Sequence, residues 1–165
     1  MNHRKLKAGE VAGTYDITAP ITEAELVSIA QAFARRKLAR GRKLTRPNLV
    51  FDYLQVLFQG YEHEVFSALF LDSQHRLIHF ETLFRGTIDS ASVYPREVVK
   101  RALAHNAAAV IFVHNHPSGD PEPSDADRRI TQRLSDALAL IEVRVIDHIV
   151  VGGDRCISLA ERGDL

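Results

Sequence analysis

Two histidines one residue apart, followed closely by several carboxylates, are the part of this 165-residue sequence best suited to chemistry. His114 and His116 flank Asn115, and the chain continues Pro117-Ser118-Gly119-Asp120-Pro121-Glu122-Pro123-Ser124-Asp125-Ala126-Asp127. Residues two apart on an extended segment point to the same side, so both imidazoles can face one point in space. The residues that follow include three prolines and a glycine. That composition narrows the loop's conformations and lowers the entropy cost of a fixed return path. Asp127 falls in the first turn of the next expected helix, where its carboxylate can swing back toward the histidines. Two imidazoles and one carboxylate leave a fourth position for water, the layout of a catalytic zinc site, and one zinc per chain is expected. The same donor set also serves non-haem iron.

Spacing alone leaves Asp120 and Asp125 as rivals to Asp127. Ser124-Asp125-Ala126-Asp127 also reads as a capping box, in which the aspartate serves helix initiation. Asp147-His148 lies in an otherwise apolar run and reads either as a pair that orients a ligand imidazole or as a satisfied structural pair. His63, His75, His79 and His105 have no partner pattern, and Cys156 reads as a small core residue.

The elements that must position these residues are legible from periodicity. Residues 108–113 are a short continuous apolar strand that ends where the histidines begin, and a helix follows over 124–140. Val65–Leu71 has the pattern of a buried strand, Asp72-Ser73-Gln74-His75 that of a hairpin turn, and 76–84 that of the returning strand, which Gly86 breaks. Pro95 opens a helix whose apolar face is Val98, Val99, Ala102 and Leu103. Two last strands fit 142–151 and 155–159, joined by Gly152-Gly153-Asp154. The order β-β-α-β-α-β-β predicts an α/β (α+β) fold, a mixed β-sheet flanked by helices. It is preceded by a small helical segment. Thr22-Glu23-Ala24-Glu25 caps one helix, residues 48–59 form a second ended by Gly60, and residues 1–20 read as an extended or poorly ordered arm. The division is therefore 1–60, arm and helical segment, and 61–165, the domain carrying the histidines.

Twenty-one basic residues balance 21 acidic ones, so bulk charge gives no support to a surface built on phosphate contacts. One local exception is Arg35, Arg36, Lys37, Arg40, Arg42, Lys43 and Arg46, a run without an acidic residue. It reads as the solvated end of a helix or as a patch for nucleic acid or an acidic partner. A single cysteine excludes an internal disulfide and fits a reducing compartment. No apolar run reaches membrane-spanning length, so a soluble cytoplasmic protein is expected.

The segment resembles the metal-site pattern of the JAMM (MPN+/JAB) family, matched at His114, His116, Pro117, Ser124 and Asp127. From about Tyr61 to Ser158 the chain is more specifically similar to RadC-family proteins, through His114-Asn115-His116-Pro117-Ser118-Gly119-Asp120 and Asp147-His148. The resemblance implies a JAB/MPN-like or cytidine-deaminase-like three-layer arrangement and selects Asp127 as third ligand. It implies a glutamate on the first strand as general base, for which Glu62 and Glu64 are candidates and Glu64 the better match. It implies Ser124 as a hydrogen-bond donor to an oxyanion. The expected activity is that of a zinc metallohydrolase acting on a peptide or protein substrate at a peptide or isopeptide bond. The RadC label also carries a DNA-repair reading, to which the 35–46 segment would contribute. Residues 1–60 lack the glycine-containing hairpins of the helix-hairpin-helix region found in longer relatives, so a short, single-catalytic-domain form is expected.

Overall fold

A computed structural model of the chain describes residues 5–38, 41, 47–58, 60–86 and 93–165. The elements in chain order are β1 (Leu6–Ala8), β2 (Tyr15–Ile17), α1 (Glu23–Lys37), α2 (Pro47–Phe58), β3 (Val65–Leu71) and β4 (Leu77–Arg85). There follow α3 (Pro95–Ala104), β5 (Ala109–Asn115), α4 (Asp125–Ala139), β6 (Arg144–Gly152), β7 (Arg155–Ser158) and α5 (Leu159–Arg162). The expected arm is in part a small antiparallel ladder: β1 pairs with β2, Lys7 opposite Asp16. Its residues are mostly exposed, so it carries no hydrophobic signal that sequence reading could detect. The short α5 was likewise not expected; its first turn is capped by Ser158, whose hydroxyl accepts from Glu161 N.

Helix α1 begins as its sequence dictates. The Thr22 hydroxyl accepts from Glu25 N, and the Glu25 carboxylate accepts from Thr22 N, satisfying two amides that the helix itself cannot pair.

The main sheet has the order β4-β3-β5-β6-β7. Only β5 and β6 run parallel, joined through α4; the other pairings are antiparallel. Every residue of β3 is buried because helices cover both sheet faces, which explains its unbroken apolar pattern. Alternation divides the interior in two. Val65, Leu69, Leu71, Val113 and Val151 pack against Leu54, Leu57 and Phe58 of α2. Phe66, Phe70, Val110 and Phe112 pack against Val98 of α3 and Leu134 and Leu138 of α4. The outcome is three layers, with α1 and α2 on one side and α3 and α4 on the other.

This alternation decides where the chemistry sits. Val110, Phe112 and His114 share the α4 face of β5, so the first histidine emerges beside the start of α4. The strand also runs two residues further than its apolar stretch, through Asn115.

Candidate metal centre

His114 and Asp127 are completely buried, and His116 is half-buried at the rim. Nε2 of His114 lies 2.9 Å from Nε2 of His116 and 3.2 Å from Oδ1 of Asp127. The other carboxylate oxygen, Asp127 Oδ2, lies 3.5 Å from His116 Nε2. Donors around a tetrahedral zinc stand roughly 3.3 Å apart, given metal–ligand bonds near 2.0–2.1 Å. The three side chains thus converge at the spacing of one cation's ligand sphere.

Asp127 caps the helix and is placed so that it could also face a metal. Its Oδ2 accepts from Ser124 N and Ser124 Oγ, each at 2.7 Å, and its own amide donates to Ser124 Oγ, completing a capping box. Its Oδ1 is the one buried side-chain polar atom with no hydrogen-bond partner among the described residues. A buried carboxylate oxygen without a donor costs about 1–3 kcal/mol, and a cation facing it removes that cost. The rivals are placed elsewhere. Asp125 is exposed and pairs with Arg128. Asp120 is also exposed, and it contributes its backbone carbonyl rather than its carboxylate.

A chain of hydrogen bonds fixes which nitrogen of each ring faces the centre. The Thr131 hydroxyl donates to the Asp127 carbonyl, so its oxygen accepts from Nδ1–H of His148. Nε2 of that neutral ring then accepts from Nδ1–H of His114, 2.8 Å away, leaving the His114 Nε2 lone pair toward the centre. His116 is held similarly, its Nδ1–H donating to the Asp120 carbonyl at 2.8 Å. Phe66 stacks on His114, and Phe66 and Phe112 meet the His148 ring edge-on, closing the site from below.

Without a metal, the electrostatics favour positive charge at the centre. Burial opposes ionisation of Asp127, but the two histidines and the Ser124 hydroxyl outweigh it and hold the carboxyl well below the usual range. The Asp127 carboxylate favours protonated His116 and raises its pKa against burial, with smaller help from the Asp120 carbonyl and the Glu64 charge. Complete burial, reinforced by His114, drives His148 well below the ordinary imidazole value, so it stays neutral.

Glu64 stands immediately before β3, close enough for its charge to act on His116. Its backbone is pinned on both sides by one buried residue. Asn115 Oδ1 accepts from Val65 N at 2.8 Å, and Asn115 Nδ2 donates to the His63 carbonyl at 3.1 Å. Asn115 is thus a clasp between β5 and the segment bearing Glu64. Asp147 and His148 part company. His148 touches His114, whereas Asp147 accepts from Ser158 Oγ and Ala160 N and anchors the C-terminal turn. Thr131 was missed, although its place four residues after Asp127, on the same helical face, was a readable signal. Cys156 takes no part: burial pushes its thiol up to about 12, and it lies against the Phe51 carbonyl.

Residues 44–164 match the family model described as RadC-like JAB domain. The chain belongs to that family. It is 59% identical over 141 residues to a UPF0758 protein of Vibrio cholerae, covering 86% of this chain and 89% of that one. A UPF0758 protein of Chromohalobacter salexigens is 65% identical over 126 residues, and one of Cellvibrio japonicus 57% over 138. The matched regions span 56% and 62% of those two relatives, which are longer. The mixed five-stranded sheet flanked by helices agrees with a JAB/MPN domain. Within this RadC-like domain, His114, His116 and Asp127 form a triad able to bind a metal. Among the described residues no helix is long and apolar enough to cross a membrane. Of the basic run, Arg35, Arg36 and Lys37 form the last turn of α1, with the Arg36 guanidinium over the Phe33 ring; Arg40, Arg42, Lys43 and Arg46 lie outside the described residues.

Proposed function

We propose that this RadC-like domain is a zinc-dependent hydrolase of amide bonds, peptide or isopeptide, with one zinc at the centre formed by His114, His116 and Asp127. The observation that carries the reading is Asp127 Oδ1, buried and without a donor, facing two imidazole nitrogens whose lone pairs point the same way. Zinc in a site of two histidines and a carboxylate supplies Lewis acidity that acidifies water and polarises a carbonyl. His114, His116 and Asp127 hold it. The Glu64 carboxylate, kept beside His116 by the Asn115 clasp, takes the proton from the attacking water and returns it to the leaving amine. Ser124 sits exposed at the mouth with its hydroxyl on Asp127 Oδ2; turned outward, the same hydroxyl donates to the oxyanion of the tetrahedral intermediate. The substrate is a peptide or protein. A DNA-processing role through the 35–46 segment has less support, because the net charge is zero and Arg36 rests on Phe33.

Elemental analysis of the purified chain, paired with amide-substrate screening of wild type and Glu64→Gln, tests the proposal. The expected result is about one zinc per chain in both proteins, as for a three-ligand site, with turnover only in the wild type. Metal-free protein that retains full turnover overturns it, and loss of zinc from Glu64→Gln makes Glu64 a ligand instead.

A further inference from the structure

A second group of metal-ligating side chains lies at the other end of the same sheet face. Strand pairing places His79 opposite Phe70 and Glu81 opposite Ala68, so both side chains project toward the α3 layer from the edge strand β4. His105 caps the C-terminal end of α3 and reaches the same spot. Its ring packs 4.8 Å from Phe70 and 4.5 Å from the His79 ring, and its Nε2 is 3.3 Å from Glu81 Oε2. One ligand atom from each of the three residues lies within 4.8 Å of the others.

An ion pair accounts for His105 and Glu81 but not for His79. The His79 side chain is exposed and has no hydrogen bond or ion pair among the described residues; its ring lies against the second imidazole. A cavity of about 520 Å³, lined by both histidines together with Arg35 and Phe80, opens beside them and gives aqueous access. The Glu81–His105 separation already equals the roughly 3.3 Å between donors on a tetrahedral ion, so only His79 must turn to complete the set. Glu81 Oε1 is meanwhile held by Arg101 Nε at 3.4 Å, which fixes the carboxylate with Oε2 toward the histidines.

We infer that His79, Glu81 and His105 form a second divalent-cation site, separate from the first and suited to zinc. Two imidazole nitrogens and one carboxylate oxygen are the donors a borderline cation takes, with water completing the sphere at this exposed position. The sites do not share residues. His114 pairs with Phe66 and His105 packs on Phe70, four strand positions away or roughly 13 Å. A cation here ties the edge strand to the end of α3, so it acts as a clasp rather than as a reaction centre. The Arg101 charge weakens the site, which therefore fills after the first.

The test is zinc binding by the full chain, stripped with chelator and dialysed against graded Zn2+, with bound metal measured by elemental analysis. His79→Ala changes an exposed side chain and preserves the fold. It is expected to bind one equivalent less than wild type, or to need at least tenfold more zinc for that equivalent. Arg101→Gln is expected to fill the same site at lower zinc. Identical binding curves for wild type and His79→Ala overturn the inference. His116→Ala separates it from the proposed hydrolase centre: in that background the His79-dependent equivalent remains, whatever becomes of the first.

Discussion

Nε2 of His148 sits 2.8 Å from Nδ1 of His114, with both rings completely buried. Because the Thr131 hydroxyl occupies the far nitrogen of His148, this contact has one consistent proton arrangement, and it turns the His114 lone pair toward Asp127. Thr131→Val keeps the shape and removes the hydroxyl, leaving a buried imidazole N–H without an acceptor. Zinc affinity is expected to fall about 10–100-fold, the usual cost of losing a partner behind a ligand histidine. Competition with a chelator of known affinity measures it, and nitrogen-15 shifts of the His148 ring report the lost tautomer preference. Wild-type affinity in Thr131→Val would show that the relay does not orient His114.

Asn115 acts on Glu64 rather than on the metal ligands. Asn115→Ala leaves the buried Val65 amide unpaired, which costs about 1–3 kcal/mol of stability. It also frees the backbone on both sides of Glu64. Zinc content is expected to stay at the wild-type level while amide turnover falls by at least tenfold. Asn115→Asp keeps the acceptor and should recover part of the stability. Denaturant titration and turnover, read together, decide it: full turnover in Asn115→Ala means the clasp does not position Glu64.

What the sequence revealed was whatever local spacing controls. His114 and His116 share a strand face, Ser124 and Asp127 share a helix turn, and the apolar run of β3 reports burial on both sides. The capping-box and ligand readings of Asp127 looked like competitors only because a sequence does not show that a carboxylate has two oxygens with different tasks. Contacts between distant segments were readable only in part. That His148 orients a ligand imidazole was one of two readings open for Asp147-His148, and it reaches His114 across 34 residues. Asn115 reaches Val65 across 50, and His105 meets His79 and Glu81 only once α3 has folded back over the edge strand; neither contact had a local signal. The β1–β2 ladder escaped notice for a different reason, having almost no buried side chain to impose a period.

The metal-free protein should be most stable near pH 6.5, because two histidines lose their contributions on opposite sides of the unfolded imidazole pKa of about 6.5. His148 is depressed in the fold, so below that pH the unfolded chain binds more protons and stability falls with acid. His116 is raised in the fold, so its contribution is full below about 6.5 and is lost as pH rises through its folded value. Each limb can slope by at most about 1.4 kcal/mol per pH unit for one proton. Asp127 adds a further loss only in strong acid, below the usual carboxylate range of about 4. Chelator-treated protein unfolded at a series of pH values should show the acid limb flattened in His148→Gln and the alkaline limb flattened in His116→Gln. Unchanged profiles in both variants would mean neither ring is perturbed as described.

Gly152 ends β6 against the loop that holds His116. A methyl group there would lie 2.5 Å from Pro121 N, 2.7 Å from the Asp120 carbonyl carbon and 2.9 Å from Pro121 Cα. All three are backbone atoms, so no side-chain rotation relieves the overlap and the 120–121 segment must move. That segment carries the carbonyl that accepts from His116 Nδ1, while His116 N donates to the Val151 carbonyl. Gly152→Ala should therefore cost about 1–3 kcal/mol through overpacking and release the His116 ring as well. A fall in zinc affinity is expected, alongside an unchanged His114–His148 contact on the other side of the site. Gly163→Ala is the control. It meets no atom within 4 Å but has φ +78°, so it should lose about 1 kcal/mol through backbone strain and none of its zinc affinity. If Gly152→Ala resembles that control, losing stability while binding zinc like the wild type, the Asp120 carbonyl is not what holds His116 in place.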